Sequence, residues 1–107
     1  MKAFVIPLIN RRLCIYVGSK GWLDFAKAYR RESGKETPDV PVVTSDCGRS
    51  WGGHVWVSAL KHQGTLIHEL SHAIDETMEV VGSQDTEFRA YITEWVLVNV
   101  LKWVRGK

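Results

Sequence analysis

The chain has 107 residues, of which 45% are hydrophobic and 24% charged. That composition excludes disordered, collagenous and low-complexity classes, and the length is that of one small domain without room for a second core. A formal charge of +2 is too slight for the concentrated basic stripe of a nucleic-acid binder, so such a partner is not expected.

Residues 3–9 and 13–17 alternate or run apolar and read as two strands joined by a tight turn at Asn10-Arg11-Arg12. Pro7 has no N–H to donate and either weakens the first strand or places it at a sheet edge. Gly18-Ser19-Lys20-Gly21 breaks the pattern. Trp22, Phe25, Ala26, Ala28 and Tyr29 then recur at helical spacing, with Lys27, Arg30, Arg31 and Glu32 on the wet side and Ser33-Gly34 as the stop. A polar loop closed by Pro38, a short extended run over Val40-Pro41-Val42-Val43 and a glycine-rich loop over 45–53 follow. His54-Val55-Trp56-Val57 alternates like a half-buried strand. A helix begins between Ser58 and Thr65 and runs to about Val81, with Gly82 as its stop. Ser83 or Asp85 caps a last helix that reaches about Val104, with Phe88, Ile92, Trp95, Val96 and Trp103 as its core face. Strands and one helix come first and two helices follow. The expected class is therefore α+β with a small mixed or antiparallel sheet, not a repeating βαβ fold.

Cys14 and Cys47 are too few for a disulfide-stapled secreted domain. The N-terminal run Phe4 to Ile9 is shorter than a signal-peptide core, so a cytoplasmic, reduced setting is expected. The C-terminal apolar stretch from Trp95 to Val104 is interrupted by Asn99 and Lys102 and is far short of the roughly 20 residues that span a bilayer. No membrane partner is expected, and the chain is read as a monomer or a homodimer.

Residues 68–72 read His-Glu-Leu-Ser-His. On a helix, His68 and His72 lie one turn apart on the same face, a spacing at which two imidazoles can hold one Zn²⁺. Glu69 points about 100° around the axis and stands beside the metal, where a general base belongs. A shuffled chain of this composition produces the pattern about once in a hundred times, so context adds weight to it. The motif lies inside a helix, and Leu66, Ile67, Leu70, Ala73, Ile74 and Val81 are expected to bury the side away from the histidines. The plain alternative is a helix whose two histidines only satisfy hydrogen bonds.

A catalytic zinc needs a third protein ligand and an open position. Glu87, 15 residues past His72, ranks first, since a turn at Gly82-Ser83-Gln84 can fold the last helix back onto the metal. Asp75, alternatively an outer partner of a histidine N–H, ranks second, then His54, then Cys47. Tyr91, one turn beyond Glu87, is a candidate to touch a substrate oxyanion or to orient a ligand; the competing reading is an interface tyrosine. Glu94 and Arg89 read as solvated, and Trp51 reads as either cleft lining or packing. Arg11, Arg12, Lys27, Arg30, Arg31 and Lys35 read as a wet face.

Thr65-Leu-Ile-His-Glu-Leu-Ser-His72 resembles the active-site helix of zincin metallopeptidases. Asp85-Thr-Glu-Phe-Arg-Ala-Tyr91 resembles the glutamate-bearing helix of their gluzincin branch, and the size is similar to that of small phage-encoded zincins. The likeness covers Thr65 to Trp95. The third histidine and glycine of the metzincin pattern are absent, and His72 and Glu87 are closer in sequence than in thermolysin-like enzymes. The resemblance implies His68, His72 and Glu87 as zinc ligands, Glu69 as base, and His54–Val57 as a sheet edge that pairs with an extended peptide. The function expected is a zinc-dependent metallopeptidase acting on a peptide or protein substrate. The alternative is a zincin-shaped protein-binding or regulatory module with little or no catalysis.

Overall fold

A computed structural model describes residues 1–36, 47–82 and 84–107. The strands are β1 (Lys2–Ile6), β2 (Arg11–Val17), β3 (Gly48–Trp51) and β4 (His54–Val57). The helices are α1 (Gly18–Ser33), α2 (Gln63–Val81) and α3 (Thr86–Arg105). The α+β class holds, with a four-stranded mixed sheet in the order β1-β2-β4-β3. β1 pairs antiparallel with β2, β2 parallel with β4, and β4 antiparallel with β3.

Strict alternation along the strands sorts two cores. Leu13 and Ile15 of β2 and Val55 and Val57 of β4 face α2 and α3 and join Leu66, Leu70, Ile74, Ile92, Val96 and Val100. Cys14 and Tyr16 of β2 and Trp56 of β4 face the other way and pack on Trp22 and Phe25 of α1. The sheet is thus a middle layer with one helix on one face and two on the other. Between the parallel neighbours β2 and β4 the chain passes through α1 and β3, a parallel pairing that the element order alone did not signal.

Several boundaries differ from the sequence reading. β1 ends at Ile6, and Pro7–Asn10 form the turn, with Leu8 and Asn10 at φ 70° and 52°. Arg11 and Arg12 are therefore strand residues, paired with Ile6 and Val5. α1 starts directly at Gly18, whose φ of +73° turns the chain from strand into helix without a loop. The expected glycine-rich loop holds the short strand β3, joined to β4 by the two-residue turn Gly52-Gly53. The extended run at 40–43 lies outside the described residues. On α2, Leu66, Leu70, Ala73 and Ile74 are buried as expected, whereas Ile67 and Val81 are each 38% exposed. On α3, Ile92 and Val96 are buried, and Phe88, Trp95 and Trp103 pack partly buried against the same core.

Asp85 caps α3, its side chain accepting from the backbone N–H groups of Glu87 and Phe88 at 2.9 and 3.2 Å. Among the described residues no helix is long and apolar enough to cross a membrane. No disulfide joins Cys14 and Cys47.

The hairpin turn has one unyielding contact. A Cβ added at Gly53 would collide with the backbone oxygen of Arg12. Gly53→Ala must therefore shift backbone, and it should lower stability by about 1–3 kcal/mol. Urea unfolding checks this; an unchanged midpoint would show that the β2–β4 junction has slack.

Candidate metal centre

α2 is amphipathic with a tightly defined inner stripe. Leu66, Leu70 and Ala73 are at most 1% exposed, and Ile74 and Met78 complete the buried face. Once that stripe meets the sheet, the helical repeat leaves His68 and His72 on the outer side and turns Glu69 toward β3. The His68 side chain is 70% exposed, whereas Glu69 is 7% exposed and is the one buried charged residue among those described.

The two imidazoles converge. Their Nε2 atoms stand 3.3 Å apart, with ring centroids 4.8 Å apart and planes at 82°. Glu69 Oε1 lies 3.9 Å from His68 Nε2. Ligand atoms of His68, Glu69 and His72 all fall within 4.8 Å of one another, and no other such cluster of three occurs among the described residues. Two nitrogens held tetrahedrally at roughly 2.0–2.1 Å from Zn²⁺ stand about 3.3–3.4 Å apart, so the observed pair fits the ion.

β3 closes over this corner. A Cβ at Gly48 would meet Glu69 Cγ at 2.7 Å and Thr65 Cγ2 at 2.8 Å, so only glycine lets the strand lie this close to the carboxylate. A groove of about 790 Å³ opens here, lined by Cys47, Gly48, Arg49, residues 61–65, His68 and Glu69.

The other ligand candidates stand apart from the cluster. Glu87 is in the first turn of α3, exposed and outside the cluster. Tyr91 is 44% exposed, and neither it nor Glu87 lines the groove. Asp75 is ion-paired with Arg89, so that pair joins α2 to α3 and Arg89 is not a plain surface charge. Glu94 is exposed. Cys47 lines the groove without joining the cluster. Trp51 packs edge-on against Tyr29 and stacks on His54.

His54 is spent elsewhere. Tyr16 Oη lies 2.8 Å from its Nδ1, and Glu32 Oε2 lies 2.6 Å from its Nε2. With the proton on Nε2, His54 donates to Glu32 and accepts from the tyrosine hydroxyl. The chain ties the end of α1 to β4 and β2. His54–Val57 is also not a sheet edge, since β4 lies between β2 and β3. Among the described residues, the strand at the sheet edge beside the cluster is β3.

Sequence reasoning missed Tyr16 and Glu32 as the partners of His54. It also missed β3 beside Glu69. The one available signal was Ser50-Trp51-Gly52-Gly53-His54, a Gly-Gly pair between two short runs, which is a hairpin signature.

No family model matches the chain, and no curated protein or solved structure is significantly similar to it.

Burial pushes the Tyr16 phenol up from 10 to about 12, reinforced by Cys14 and Glu32 and opposed by Arg31. Burial likewise raises the Cys14 thiol, against the pull of Arg12. A phenol held above its unfolded value favours the folded state while protonated. That contribution is complete below about pH 10 and is lost as pH climbs through about 12. Ultraviolet titration should show one phenolate forming only near pH 12, and Tyr16→Phe should remove that step. Full ionisation of all tyrosines well below pH 12 would contradict the buried hydrogen-bonded chain.

Proposed function

We propose that this chain is a zinc-dependent peptidase of the zincin kind. The observation that carries the reading is the convergence of His68 and His72 Nε2 at 3.3 Å beside a buried carboxylate, Glu69. Bound zinc supplies a Lewis acid that acidifies water and polarises a peptide carbonyl. Glu69 takes a proton from the attacking water and returns it to the leaving amine. Its burial beside Gly48 of β3 holds the carboxylate in one place and keeps bulk water from that side.

Glu87 is our candidate third ligand. Asp75 and His54 are engaged by Arg89 and by Glu32 and Tyr16, whereas the Glu87 carboxylate has no ion pair or hydrogen bond with a described residue. Tyr91, one turn along α3 and exposed, is the candidate to meet substrate from the same side.

The substrate strand would lie on β3. The Cys47 carbonyl accepts from Ser58 N–H at 2.9 Å, so by strand alternation Gly48 and Ser50 turn their N–H and C=O groups away from β4, to an edge that no described strand covers. An extended peptide can pair there and run past Glu69. That same edge favours a second reading, a module that holds peptides without cutting them.

Glu69→Gln decides between these readings. It keeps the shape and removes the base. The zinc-loaded wild type should cleave a peptide library, and Glu69→Gln should lower the rate by about 10²–10⁴-fold while retaining the metal. Peptides held equally by both proteins, with no cleavage by either, would overturn the peptidase reading in favour of the binding module. Glu87→Ala should weaken zinc binding without unfolding the chain; undiminished affinity would remove Glu87 from the ligand set.

A further inference from the structure

The groove over Glu69 carries a charge pattern that the catalytic residues do not explain. Arg49 on β3 and Lys61 before α2 stand on its rim, and Glu69 is the one acidic residue among the described residues of its lining. The first turn of α2 holds no acidic residue. Neither Arg49 nor Lys61 forms an ion pair with a described residue. Arg49 Nη1 instead donates to the Gly48 carbonyl at 2.8 Å, which holds the guanidinium beside the backbone of β3.

Exposed cations on most surfaces sit among carboxylates of opposite sign. Here two of them line the groove beside the candidate reacting centre, and the described carboxylate that shares the lining, Glu69, is buried. A divalent ion on His68 and His72 would make the rim more positive still. We propose that this groove selects peptides with an aspartate or glutamate beside the scissile bond, with Arg49 and Lys61 as the specificity-determining residues. The proposal rests on the peptidase reading and names the substrate class for it. Opposite charges facing across a groove choose partners by attraction to the right residue and by leaving a cation uncompensated against the wrong one.

The test uses the zinc-loaded full chain and two quenched fluorogenic peptides that differ only by Glu or Gln next to the cleaved bond. The Glu peptide should have a kcat/KM about three- to tenfold higher at low salt, and the advantage should shrink in 0.5 M NaCl, roughly as exposed pairs are screened. In the Arg49→Gln, Lys61→Gln double variant the Glu/Gln ratio should fall to about one. The salt dependence of the wild type reads out the same claim should the variant fold poorly. Cleavage of both peptides with equal kcat/KM overturns the selectivity and leaves the peptidase reading standing. Cleavage of neither overturns the peptidase reading and the proposal with it. Stronger inhibition by a single-stranded oligonucleotide than by an uncleavable Glu peptide overturns the assignment to acidic peptides.

Discussion

The burial of one stripe of α2 sets the rest of the structure. Leu66, Leu70, Ala73, Ile74 and Met78 can meet the sheet in one rotation of the helix only. That rotation leaves His68 and His72 facing outward one turn apart and pushes Glu69 under β3. A helix turned by one residue would bury a histidine and expose the carboxylate. The apolar packing, not any polar contact, therefore decides that two imidazoles converge while the carboxylate between them is shielded.

The other elements hold that rotation in place. Gly48 lets β3 lie against Glu69 and Thr65, so the strand that could present a peptide also walls in the base. The Asp75–Arg89 pair and the Asp85 cap position the first turn of α3, where Glu87 stands. On the far face, Glu32, His54 and Tyr16 bind α1 to the two central strands. His54 thus serves the scaffold, and its two occupied nitrogens leave nothing for a metal.

What was legible in the sequence was local. The helices followed from apolar spacing of 3.6 and from caps such as Gly34, Gly82 and Asp85, all of which act within a turn or two. The His-Glu-Leu-Ser-His cluster was legible because four-residue spacing on a helix is itself geometry. Sheet order was not, because the place of β4 between β2 and β3 depends on partners far apart in the chain. β3 is only four residues long and begins with glycine, so its pattern was too short to separate from a loop. The role of His54 needed Glu32, 22 residues away, and Tyr16, 38 residues away. Glu87 matched a motif, yet its distance from the cluster is a tertiary matter that spacing along the chain does not carry.

The central claim is that His68 and His72 hold one divalent metal ion. Competitive titration with Zn²⁺ against a chromophoric chelator, on wild type and His72→Ala, tests it most directly. About one equivalent of zinc should bind per wild-type chain, and His72→Ala should lose that site with an unchanged circular-dichroism spectrum. Zinc bound equally by both proteins, or by neither, would contradict it.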